Sequence, residues 1–513
     1  MFSVAVCVRA EREREQERQT DRHLKHWPNS SSFDPQHSLT MAKRDFSETS
    51  DTCSWESPDY EPWFPVSEKS NPLTRDIDKA SPNHIVRLLA ACDAQMFQTD
   101  TGTIYQRLFS DSVVRTMLEV ARTVEQILRD PEDSLIVLSG CGTSGRLAFL
   151  IASRFNRSLR DRQQKTVYSY IIAGGDRALL TSQEASEDDP KLGMLTLEKL
   201  CEGKRHVLFI GISCGLSAPF VAGQLDFCLK HPDIYTPVLV GFNPVTQARE
   251  ETMPGYSLTF REVVQRMEER RGQRASIINP AVGPEAISGS SRMKGGSATK
   301  ILLESILAAA HTAAFTNTHV TRRVLLDMMR GYERVYSVTY SHSDQIATLL
   351  QTAGLSLQCG GRVCYLSWGS LGLVGLIDAS ECIPTFGADY EDIRGFISGG
   401  YQDMDNIEGD LTSLKLSGVS LTQCEEALLK AIYNVEQLPE DITSAGVTTH
   451  TLTASRRNRV VPLALVCLLI GCSLSEAESR LESHPVVRDA VEACLTSSQH
   501  LTSSPGDQTS TKQ

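Results

Sequence analysis

The sequence predicts an α/β protein of doubly wound parallel sheets with a helical module at its carboxyl end. Three observations predict it. From Leu135 onwards, apolar runs of strand length alternate with helical patterns, as in a parallel sheet covered by helices. The stretch Leu135-Ile-Val-Leu-Ser-Gly-Cys-Gly-Thr-Ser-Gly-Arg146 passes from a buried strand into glycines and hydroxyls, then resumes as a helical pattern from Leu147 to Phe155. Finally, Gly142-Thr-Ser-Gly-Arg-Leu-Ala-Phe-Leu-Ile-Ala-Ser153 returns as Gly369-Ser-Leu-Gly-Leu-Val-Gly-Leu-Ile-Asp-Ala-Ser380, each behind an apolar strand pattern, which marks a duplicated domain.

The totals bound the function classes. A chain of 513 residues holds two or three domains, and 41% hydrophobic with 22% charged residues is ordinary for a soluble globular protein. A net charge of -12 argues against nucleic acid or an anionic membrane as the main partner, since either needs a basic face. The fourteen cysteines form no CxxC pairs, and Cys141, Cys364 and Cys467 lie in apolar runs, which fits reduced thiols in cytosol or nucleus better than disulfides or a zinc site. The apolar stretch Val460 to Leu474 contains Pro462 and falls short of the ~20 residues a bilayer helix needs, so it reads as a core helix.

In chain order, residues 1–66 read as a disordered tail: Ala10 to Arg22 alternates Glu, Arg and Gln without an apolar face, and its acidic residues disfavour a transit peptide. Met1 and Met41 are both possible starts. Order begins near Glu68, and residues 67–330 form the first α/β domain with its N-terminal helices. Ser81-Pro82 opens an amphipathic helix from Ile85 to Met96, and Val113, Met117, Val120, Val124 and Ile127 stripe a second from Val113 to Leu128. Strands follow at Leu135 to Ser139, Val167 to Ala173, His206 to Ile212 and Pro237 to Phe242, with helices at Ala218 to Leu229 and Thr299 to Ala314. Residues 331–418 form a second, shortened copy, and 419–495 a helical lid with a capped start at Ser473. The segment 496–513, rich in Ser and Thr, reads as a second disordered tail.

The chemistry concentrates where the first strand meets its helix. Amides at a helix N-terminus and the hydroxyls of Thr143 and Ser144 make a phosphate cradle. It lacks the lysine of a nucleotide P-loop and the glycine spacing of a dinucleotide fingerprint, so it suits a small phosphorylated molecule; the alternative is a plain strand-to-helix turn. Ligands of doubly wound sheets bind at the carboxyl ends of the strands, where Ser213 and Ser217 also fall. The loop Gly283 to Gly296 offers Ser288, Ser290 and Ser291 with Arg292 or Lys294 as further anion ligands. In the second copy Leu371 replaces Ser144 and Leu373 replaces Arg146, so one working cradle is expected. Glu381 stands there in the place of Arg154.

Gly-Cys-Gly-Thr-Ser-Gly-Arg, Ile-Ala-Gly-Gly-Asp-Arg, Glu-Ala-Ser-Glu-Asp-Asp, Gly-Pro-Glu-Ala-Ile-Ser-Gly-Ser-Ser-Arg-Met-Lys-Gly-Gly and Asp-Ala-Ser-Glu-Cys in one chain resemble the sugar isomerase (SIS) domain family. The branch is that of bacterial N-acetylmuramic acid 6-phosphate etherases and animal glucokinase regulatory proteins. Two copies and a helical tail resemble the regulators, over roughly residues 66 to 495. The resemblance implies a non-catalytic receptor without cofactor or metal. Fructose 6-phosphate or fructose 1-phosphate would bind between two SIS domains and set the grip on glucokinase, in cytoplasm and nucleus. It implies that Thr143 and Ser144 meet the phosphate, that Ser213, Cys214, Gly215, Ser290 and Ser291 surround it, and that Glu187 and Glu381 accept sugar hydroxyls. The alternative it implies is an etherase-like lyase in which Glu187 and Glu381 act as acid and base. The chain departs from the regulators at Pro384, where they carry histidine. It departs also in length: about 50 residues separate Arg362 from the tail helices, against about 180 in the first copy. That difference implies that roughly 100 residues of the family are absent after Asp410, with a lid lysine and part of the kinase-binding surface.

Overall fold

The computed structural model describes residues 5–9, 54–57, 59–98, 105–179, 186–270, 274–389, 392–398, 463, 466–467 and 472–484. Its first unit is a five-stranded parallel sheet in the order β3-β2-β4-β5-β6, where β2 is Ser134–Gly140, β3 Tyr168–Ile172, β4 His206–Ile212, β5 Tyr235–Val240 and β6 Ser276–Ile278. Adjacent pairs run in parallel register, with Leu138 between Tyr170 and Ile210. The strands read as unbroken apolar runs because both faces of the sheet are covered.

Alternate strand residues go to opposite layers. On one side Ile136, Leu138, Ile210, Ile212, Val238 and Val240 pack in the main core. The helices there are α2 (Asp111–Arg129), α3 (Gly142–Asp161), α7 (Lys294–Phe315) and α8 (Arg322–Tyr340). The stripe Val113, Met117, Val120, Val124 and Ile127 of α2 is buried as its spacing requires. On the other side Val137, Val207, Phe209 and Leu239 meet α4 (Pro190–Leu200), α5 (Pro219–Lys230) and α6 (Phe260–Glu269). Proline at the first helical position starts α4, α5 and α1 (Pro82–Ala94), whose N-cap Ser81 accepts the His84 N–H at 3.4 Å.

The second unit follows α9 (Ser343–Gln358). It comprises β7 (Arg362–Trp368), α10 (Gly369–Phe386) and β8 (Ile393–Ser398), with β7 and β8 parallel. A third strand, β1 (Ala5–Arg9), pairs antiparallel with β7, Ala5 opposite Leu366 and Arg9 opposite Arg362. Two parts of the expected N-terminal tail are therefore structured. The other is the segment from Ser54. Trp55 is buried, stacks on Tyr105 at 6.1 Å and lies under the Arg107 guanidinium at 4.7 Å, while Glu56 pairs with Arg107. The segment from Ser54, expected to be part of a disordered tail, is thus packed on the first unit, because an aromatic anchor and a buried ion pair outweigh a polar local composition.

Of the expected lid, α11 (Leu474–Ser483) is present, with Ser473 Oγ accepting the Glu476 N–H at 3.3 Å. Most of the rest of the lid expected over 419–495 and the tail 496–513 lie outside the described residues. Among the described residues no helix is long and apolar enough to cross a membrane.

Candidate functional site

The site is built where β2 gives way to α3. Gly142 takes a φ of +47°, a conformation that costs glycine little, and this turns the chain from strand to helix within two residues. A Cβ on Gly145 would lie 2.5 Å from Ile172 Cγ1 and 2.6 Å from the Gly140 carbonyl, so glycine there lets the helix close onto the strand ends. Thr143 and Ser144, both half-buried, occupy the first turn of α3, where amides without intrahelical acceptors and the helix dipole favour an anion.

Two other segments converge on that turn. The Ser144 hydroxyl is 3.6 Å from the Cys214 thiol, which burial pushes up to about 11. Ser213 is spent on its own loop: its Oγ accepts the N–H groups of Ser217 at 3.1 Å and Ala218 at 3.3 Å, just before α5. The Gly215 carbonyl accepts the Asn243 amide at 3.0 Å, and Asn243 also ties down Ser67. From the far side comes the loop before α7. A Cβ on Gly296 would lie 3.7 Å from both Thr143 Cγ2 and the Ser291 carbonyl, so two helix N-termini face each other across Thr143. Ser290 is half-buried there and Ser291 exposed.

Of the two cations weighed for this loop, Lys294 is excluded from the cradle. It is fully buried, donates to Gln95 Oε1 at 2.7 Å, and its ammonium is pushed down by desolvation. Arg292 is the cation that remains, its guanidinium 5.2 Å from the Phe386 ring of α10. Glu285, which the sequence reading missed, caps α7: its carboxylate accepts the N–H groups of Lys294 at 2.7 Å and Gly295 at 2.8 Å, and burial raises it to about 7. It lies nine residues before the helix, outside any local capping spacing.

The two carboxylates expected to read the sugar both act on a residue that had no assigned role. Arg146, one turn into α3, has a side chain 1% exposed and pairs through Nη1 with Glu381 of α10. Glu187 also acts on that guanidinium: burial lowers Arg146 to about 10, Glu187 opposes the shift and Arg292 adds to it. Glu187 is half-buried, its Oε1 3.5 Å from where a Gly142 Cβ would stand, and its carbonyl accepts the Phe220 N–H at 3.0 Å. On α10, Asp378 accepts the Tyr365 hydroxyl at 2.7 Å. The first and second units thus meet over one guanidinium. The available signal was the repeat itself, in which Arg146 is matched by Leu373 and becomes the unpaired cation of the alignment. Among the described residues no group of three or more His, Cys, Asp or Glu could hold a metal ion.

A family model for the N-terminal SIS domain of glucokinase regulatory protein matches residues 119–229. Models for its second SIS domain and its C-terminal lid domain match residues 340–442 and 413–491, and so overlap. The glucokinase regulatory protein of Xenopus laevis is 56% identical over 370 residues, 72% of this chain and 60% of that protein. That of Homo sapiens is 48% identical over 388 residues, 75% of this chain and 62% of the relative. N-acetylmuramic acid 6-phosphate etherase 2 of Vibrio cholerae is 30% identical over 247 residues, 48% of this chain and 67% of the relative. The chain spans about three fifths of the length of the regulatory proteins it matches. With two matched SIS domains, a matched lid and a cradle at the expected strand end, this chain belongs to the SIS-domain family of glucokinase regulatory proteins.

Proposed function

We propose that the chain is a non-catalytic phosphosugar receptor that binds fructose 6-phosphate and fructose 1-phosphate and, through them, sets its inhibitory grip on glucokinase. In this reading it works in cytoplasm and nucleus and retains the kinase in the nucleus. The observation that carries it is the first turn of α3, where Thr143 and Ser144 face the start of α7 while Glu187 and Glu381 flank Arg146 one turn away. Amides and hydroxyls suit a phosphate dianion, and carboxylates suit sugar hydroxyls as acceptors. Ser290, Ser291, Cys214 and Gly215 close the surround, with Ser213 fixing the loop that carries them. Regulation needs no more than a difference in ligand affinity between two states of the receptor.

The lyase alternative finds less support. Division of acid and base roles needs carboxylates in unlike environments, whereas Glu187 and Glu381 face the same guanidinium. Thermal unfolding of the purified chain tests both readings. A ligand at a hundred times its Kd stabilises by about 2.7 kcal/mol. A rise in Tm with either fructose phosphate, lost in Ser144→Ala, is the expected result, with co-precipitation of glucokinase next. Turnover of N-acetylmuramic acid 6-phosphate, abolished by Glu381→Gln, would favour the lyase instead.

A further inference from the structure

Arg146 is a buried cation beside the cradle, and its geometry is unusual for a structural ion pair. Nη1 engages Glu381, but Nε and Nη2, both buried, have no hydrogen-bond acceptor. Nη1 of Arg292 is in the same position, and Arg292 stands close enough to depress Arg146. Buried donors are normally matched, and a guanidinium has five N–H groups set in a rigid fork. A fork held by one carboxylate, faced by a second and left with two buried donor nitrogens is complementary to one more oxygen-bearing group. Glu187 comes from the first unit and Glu381 from the second, 235 residues from Arg146, so the guanidinium holds Glu381 directly and attracts Glu187 electrostatically.

We infer that Arg146 is a specificity-determining residue of the phosphosugar site: it aims Glu187 and Glu381 at the sugar and donates its spare N–H groups to a sugar oxygen, while the α3 amides with Thr143 and Ser144 hold the phosphate. This rests on the phosphosugar reading of the cradle and adds a division of labour to it. Phosphate recognition belongs to the helix start, and sugar recognition belongs to a guanidinium one turn further in. The second copy carries Leu373 at the matching position, so sugar reading is confined to the first cradle.

The division gives a measurable split. In Arg146→Leu, affinity for fructose 6-phosphate should fall at least tenfold, while affinity for inorganic phosphate, followed by phosphorus NMR at millimolar concentration, stays within twofold. Arg146→Lys keeps the charge and Glu381 but not the fork, and should recover part of the loss. Equal loss of both ligands in Arg146→Leu would mean a merely structural role and would overturn the inference, as would unchanged binding of fructose 6-phosphate. Should Arg146→Leu fail to fold, the same split read in Arg146→Lys decides. Wild-type protein that binds neither ligand would sink the phosphosugar reading itself, and with it this refinement.

Discussion

His311 lies on α7 between the rings of Phe155 and Phe315, at 4.9 and 5.5 Å, with Nε2 2.8 Å from the Tyr168 hydroxyl. Desolvation, helped by Arg162, lowers it from 6.5 to about 4. Below pH 6.5 the unfolded chain takes up a proton that the folded chain refuses until about pH 4. Stability from this residue is therefore present at neutral pH and lost as pH falls through that window. Glu285 acts in the opposite sense: raised to about 7, it binds its proton more tightly in the folded chain, so its contribution falls as pH rises from 4.5 to 7. The two partly cancel in the wild-type curve, and the difference between proteins is the readout. His311→Gln keeps an acceptor for Tyr168. Its drop in unfolding free energy between pH 7 and 4.5 should be smaller than that of wild type by about 2 kcal/mol. Parallel pH profiles in urea titrations would refute the assignment.

At the scale of elements, α4 and α5 cross at two glycines. A Cβ on Gly223 would stand 1.9 Å from the Pro190 carbonyl oxygen, and one on Gly193 would stand 2.2 Å from that of Phe220. Both obstacles are backbone, so the helices must separate to admit a methyl group, at a cost of about 1–3 kcal/mol. Gly223→Ala should lower the denaturation midpoint accordingly. Because the Phe220 N–H holds the Glu187 carbonyl, it should also weaken fructose 6-phosphate binding, and an unchanged midpoint would contradict the packing. What the sequence made legible at this scale follows the range of the signal. The sheet strands were readable because burial on both faces leaves unbroken apolar runs, and Thr143 and Ser144 because a helix start is a local event. The start of α7 was expected five residues late, since its cap, Glu285, is distant in sequence. The capping box of Thr259 and Glu262 is by contrast a local signal for the start of α6. The joining of Glu381 to Arg146 was beyond local reading, since nothing near either residue specifies the other.

For the molecule as a whole, the two units differ in burial among the residues whose burial is described. Strands β2, β4 and β5 lie between two large clusters of side chains. In β7, α10 and β8 the buried apolar residues among those described are Val363, Ala379 and Cys382. The second unit leans on the first, with Leu376 and Ile377 against the main core, Phe386 under Arg292 and Glu381 on Arg146. Regions with few buried contacts open at lower free energy than core strands. Amide exchange should therefore be faster across residues 362–398 than across 134–140, 206–212 and 235–240. A ligand that engages Glu381 stabilises the docked second unit, so fructose 6-phosphate should slow exchange in 369–386 more than in 206–212. In Arg146→Leu this selective protection should disappear, because the carboxylate that links ligand to α10 is no longer held. Uniform protection of both segments in the wild type would mean that the units open as one body, and that sugar occupancy is not transmitted through α10.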